Sequence, residues 1–68
     1  MPEIIAAENQ IIAHLESAYA GEPVRAVDVM RQVSFRYPAT VVHAAYWSLI
    51  RDNRISRSAD GLVNLVSN

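Results

Sequence analysis

The chain has no cysteine and no lysine, and only two glycines and one tryptophan in 68 residues. Without cysteine there is no disulfide staple and no thiolate metal site. Two glycines cannot build a glycine-rich phosphate loop, and no Gly-x-Ser-x-Gly elbow occurs. No apolar run approaches the roughly 18 residues that a membrane span needs. A basic stretch followed by an apolar one is missing from the N-terminus, so no signal peptide is expected. These absences point to a reduced, cytoplasmic protein. What is present is apolar: 51% of the residues are hydrophobic and 19% charged, which excludes a disordered chain. The length suits one small domain that buries roughly 60% of its unfolded surface, with little room for an enclosed catalytic cleft.

The net charge of −1 hides a polarity. Residues 1–24 carry Glu3, Glu8, Glu16 and Glu22 and no base. Residues 25–68 carry all six arginines against Asp28, Asp52 and Asp60, a balance of +3. Such asymmetry can mark a side that faces a polyanion, although six arginines are also ordinary for this length.

Periodicity organises the chain. Ile4, Ile11, Ile12, Leu15 and Tyr19 form one apolar stripe, with Pro2 suited to the first turn and Glu3 to the positive end of the dipole. A first helix is expected over about 3–20, ended by Gly21 as a left-handed cap and by Pro23. Val24 follows in a short extended link. A second helix is expected over about 25–34, with Val29, Met30 and Val33 inward and no polar side chain at its N-cap. It must stop before Pro38, because the residue before a proline avoids the helical region. A third helix is expected over about 38–52, with Val42, Ala45, Tyr46, Leu49 and Ile50 buried and Asn53 as its left-handed cap. After Asn53 the pattern changes to alternation, and a hairpin is expected over about 54–66. A two-residue Asp60-Gly61 turn competes with a three-residue loop that holds Gly61 in the left-handed region. The longer loop sorts the side chains better. It puts Ile55, Arg57, Val63 and Leu65 on one face and Ser56, Ser58, Leu62 and Asn64 on the other. The most buried set should be Ile12, Leu15, Met30, Val33, Val42, Ala45, Leu49, Ile55 and Leu65.

The stretch Val42-His43-Ala44-Ala45-Tyr46-Trp47-Ser48-Leu49-Ile50-Arg51-Asp52-Asn53-Arg54-Ile55 resembles a winged-helix recognition helix running into its first wing strand. Pro38-Ala39-Thr40-Val41 is similar to the opening of such a helix, and Asp60-Gly61 with Leu62 to Leu65 to the wing and its return strand. The resemblance is to the winged helix-turn-helix superfamily as a whole and covers nearly the entire chain. It implies an α+β fold, mostly α, of three helices followed by a two-stranded wing. It also implies binding to double-stranded DNA, as a small transcriptional regulator, with the third helix in the major groove. Arg25, Arg36, Arg51, Arg54 and Arg57 would then face phosphates, and Thr40, His43, Ala44, Trp47 and Ser48 base edges. The sequence departs from the family pattern in its uncapped second helix, in the long turn from Ser34 to Tyr37, and in a recognition helix whose first three turns hold no base.

Plainer readings stand beside these. Arg51 near a helix C-terminus is favourable by itself, and arginine on a wing strand can simply discourage edge-to-edge pairing. The commoner role of a tryptophan at the position of Trp47 is packing under the wing with its indole edge wet. His14 and His43 lie on different helices with no partner at metal-ligand spacing, and Asp28, Asp52 and Asp60 do not form an acid/base pair. No enzyme, cofactor or metal is therefore expected. Phe35, Tyr37, Val27 and Val41 should complete a small core; if exposed, they would form a patch for a homodimer or another protein partner. The alternative to DNA binding is a winged helix that serves as a protein-interaction module.

Overall fold

The computed structural model describes residues 2–17 and 22–66. Its elements are α1 (Pro2–Glu16), β1 (Val24–Arg25), α2 (Ala26–Ser34), α3 (Ala39–Arg51), β2 (Ile55–Arg57) and β3 (Leu62–Leu65). The fold is α+β and mostly helical, with three helices and one three-stranded antiparallel sheet of order β1-β3-β2.

Helix α1 buries Ala7, Ile11 and Leu15, spaced by four, and packs chiefly on α3. It runs to Glu16, and the Ser17 N–H still donates to the Ala13 carbonyl at 3.1 Å; the expected last stretch, 18–20, lies outside the described residues. The readings that involve Tyr19 and Gly21 lie outside the described residues. Helix α2 begins one residue after Arg25, whose side chain makes no capping hydrogen bond. Its start is fixed instead by the sheet: the Ala26 N–H donates to the Gly61 carbonyl at 2.9 Å.

Helix α3 takes Pro38 as its N-cap residue, and the Pro38 carbonyl accepts from the Val41 and Val42 N–H groups. Its buried stripe is Val42, Ala45, Tyr46 and Leu49, with Ile50 half-buried. At its end Asn53 adopts φ 61°, as expected of the cap. The Arg54 N–H reaches the Leu49 carbonyl and the Asn53 N–H the Ile50 carbonyl, the paired bonds of a Schellman motif. This closure turns the chain sharply into β2.

The hairpin takes the longer loop. Ile55 pairs with Leu65, Ser56 with Asn64 and Arg57 with Val63. The Gly61 N–H donates to the Ser58 carbonyl, and Gly61 sits at φ 79° with open space around its missing Cβ. Only backbone conformation therefore opposes a side chain there. Gly61→Ala is expected to lose about 1–2 kcal/mol, and Gly61→Asn clearly less, because asparagine tolerates the left-handed region. Urea melts of the two variants give the comparison.

Two expectations are corrected. The sheet has three strands where a two-stranded hairpin was expected, because Val24 and Arg25 pair with Val63 and Leu62. A two-residue strand is too short to show alternation, so it reads as a link. The core is also redistributed. Ile12, Met30 and Leu65 are only half-buried, while Ala7, Ile11, Val29, Tyr46 and Val63 are buried. On α1 the centre of the buried face runs through Ala7, Ile11 and Leu15, which leaves Ile4 and Ile12 at its margins. Ala7 is fully buried on that face, a position that a search for large apolar residues overlooks.

Candidate functional site

The exposed side of α3 is a stripe made by the same periodicity that builds the core. Thr40, His43, Ala44, Trp47 and Arg51 are exposed, and Ser48 is half-buried. The buried side of α3 packs against α1, which carries Glu3, Glu8 and Glu16. The acidic helix thus lies across the molecule from this stripe.

Trp47 is 52% exposed and packs edge-on against the Tyr46 ring, with centroids 5.3 Å apart and planes at 75°. The Arg57 guanidinium carbon lies 5.9 Å from the centre of the Trp47 ring. The contact joins the hairpin to α3 and is worth about 0.5–1 kcal/mol at an exposed site. Arg57 is on the strand face that carries Ile55, Val63 and Leu65, and this face looks towards the helices. An arginine there lies beside an aromatic ring while staying exposed to solvent.

Between the start of α2, the middle of α3 and β2 lies a groove of about 200 Å³, lined by Ala26, Val27, Met30, His43, Tyr46, Trp47 and Arg57. Tyr46 is buried, and its hydroxyl has no hydrogen-bond partner among the described residues. A buried hydroxyl left unpaired costs about 1–3 kcal/mol, so it stands out in so small a domain.

The sequence-expected residues divide between two sides. His43, Trp47 and Arg57 come together at the groove, with Thr40 and Ala44 beside them on the stripe. Arg25 is exposed on β1, opposite Leu62 of the sheet's central strand. Arg51 ends α3 and lies 4.0 Å from Asp52 in an exposed ion pair, the one such pair among the described residues. Arg36 and Arg54 lie elsewhere. Arg36 borders a groove with Gln10, Ala13 and His14 of α1, and Arg54 one with Ile12 and Glu16 of α1.

The expectation that the turn aromatics complete the core holds for Tyr37 and Val41, which pack against it. It fails for Phe35 and Val27, which are 79% and 56% exposed. Phe35 lies just past the last residue of α2, beyond the inward Val29–Val33 face, and the turn carries it outward. Trp47 lies beside β2 with part of its ring in solvent, in line with the reading that packs it under the wing; the groove and the part of Arg57 in that contact escaped sequence reading. A signal was present: an arginine on the apolar face of a strand needs a partner. Among the described residues no helix is long and apolar enough to cross a membrane. Compared with protein-family models, with curated proteins and with solved structures, the chain matches none.

Proposed function

We propose that the chain is a winged helix-turn-helix domain that binds double-stranded DNA as a small transcriptional regulator. Helix α3 enters the major groove, and Arg25, Arg51 and Arg57 lie on flanking phosphates. The observation that carries this reading is the separation of charge. The exposed stripe of α3, with Arg57 held against Trp47, points away from the acidic helix α1. Such a face attracts a polyanion even though the net charge is slightly negative. Thr40 and His43 supply hydrogen-bonding groups for base edges, and Ala44 an apolar contact for a thymine methyl.

The salt dependence of binding to a random duplex, followed by fluorescence anisotropy, tests the reading. Three phosphate contacts give a slope of log K against log salt of about −3. No binding below about 100 μM duplex at low salt, where non-specific affinity is greatest, would refute it. That outcome promotes a second reading, a protein-interaction module or homodimer. The exposed Phe35, Val27 and Trp47 favour it, since large apolar side chains left in solvent mark interaction surfaces.

A further inference from the structure

A second groove, of about 280 Å³, lies away from α3 and the hairpin, where the second half of α1 meets the end of α2. Gln10, Ala13 and His14 form its α1 wall, and Gln32, Val33 and Arg36 the wall opposite. Gln10 and His14 are four positions apart, as are Gln32 and Arg36, so each pair projects from one side of its segment. Arg36 lies just past α2, yet the chain keeps its helical course there, since the Tyr37 N–H donates to the Val33 carbonyl at 3.2 Å. Buried Val33 gives the groove an apolar floor.

The four polar side chains have one property in common: each carries an N–H donor, from two amides, an imidazole and a guanidinium. Gln10 and His14 are half-buried, and Gln32 and Arg36 are exposed. Among the described residues, none of the four side chains makes a hydrogen bond or an ion pair. No acid lines the groove among the described residues, although α1 is the acidic helix. Helical geometry explains this. Glu8 and Glu16 stand two positions from Gln10 and His14, about 200° round the helix. Glu3 shares their face but is two turns away, and on α2 Asp28 stands one turn before Gln32 and outside the lining.

Donors converging from two walls around one cation, with no acid between them, suit an anion rich in acceptors. We propose that this groove binds a phosphoryl group, carried by a phosphate ion or a small phosphate monoester. Arg36 presents its fork to two phosphoryl oxygens from one wall, and Gln10 and His14 donate from the other. The carbon skeleton of a monoester lies along Ala13 and Val33. The volume is just under the roughly 300 Å³ at which pockets for drug-sized ligands begin, so the skeleton is short. No residue of α3 or the hairpin takes part, and the site stands or falls independently of DNA binding.

Amide and histidine-ring NMR of the full chain, at fixed pH and ionic strength, tests the site. The probes are inorganic phosphate and glycerol 3-phosphate, with glycerol and acetate as controls. Signals of residues 10–14 and 32–36 should shift saturably, with a Kd of about 1–10 mM. The His14 ring should move with them, and His43, on α3, should not. Saturation by both probes assigns the groove to the phosphoryl group itself, and saturation by glycerol 3-phosphate alone to monoesters. Neither control should saturate. Arg36→Gln should weaken binding about tenfold through loss of the charge-assisted contact. Arg31→Gln removes the same charge from an exposed position of α2 outside the groove, and should change the Kd less than about twofold. Both substitutions are at exposed side chains, and an unchanged amide spectrum elsewhere verifies the fold. Equal losses from the two variants would reduce the effect to general charge attraction and overturn the site. Saturation by acetate at the same concentrations, or none by either probe up to about 50 mM, would also overturn it.

Discussion

Leu49→Ala is expected to remove about 2–5 kcal/mol of stability, the loss that accompanies a fully buried leucine and the cavity it leaves. Leu49 is 0% exposed and is among the largest fully buried side chains. It lies on α3, the helix that packs against α1, α2 and β2 alike, so no single neighbour can collapse to fill the space. A domain of this size has only about 5 kcal/mol in total, and the variant should be largely unfolded at room temperature. Ile50→Ala, one position on and half-buried, should lose clearly less. Urea melts of both variants decide the matter: a loss under about 1 kcal/mol for Leu49→Ala would show that the core is centred elsewhere.

On DNA, two substitutions, one on α3 and one on β2, should separate in kind. In the proposed complex Arg57 meets phosphate, so Arg57→Ala should weaken binding to every sequence and flatten the salt slope by about one unit. His43→Ala removes a group proposed to meet a base edge. It should leave the slope unchanged and relax preference at one base pair by about 1–3 kcal/mol. Trp47→Leu should behave as a weaker Arg57→Ala, because it withdraws the surface that holds the guanidinium. Anisotropy on a random duplex and on a selected site measures both. A flattened slope for His43→Ala, or sequence-selective loss for Arg57→Ala, would reverse the assigned roles.

Much of the fold was legible because local chemistry and long-range packing agree. Asn53 as a left-handed cap and Gly61 as the left-handed loop residue follow from backbone sterics, and both positions adopt positive φ. With Gly61 fixed, the pairing of Arg57 with Val63 follows, since a shift of one residue would turn Ile55 outward. Strand β1 was not legible, because two residues after a proline carry no period. The inward role of Ala7 was hidden for a different reason: alanine is small and weakly apolar, so it does not mark a face as the large apolar residues do. The exposed stripe of α3 followed directly from its buried one. The groove did not, because it needs α2, α3 and β2 in place at once, and its lining residues span positions 26 to 57.

The single hydrogen bond from Ala26 to Gly61 ties the tip of the hairpin to the first turn of a helix thirty-five positions earlier in the chain. Loop tips are ordinarily where a protein tolerates insertions, tags and proteolytic nicks. Here the tip serves as part of another element's foundation. Lengthening Ala59–Gly61 would leave the opening N–H of α2 without its acceptor and loosen the edge strand between them. The hairpin therefore cannot vary in length independently of the helices. A graft or label on this scaffold belongs on the solvent side of α1, where an added side chain disturbs no other element's ends.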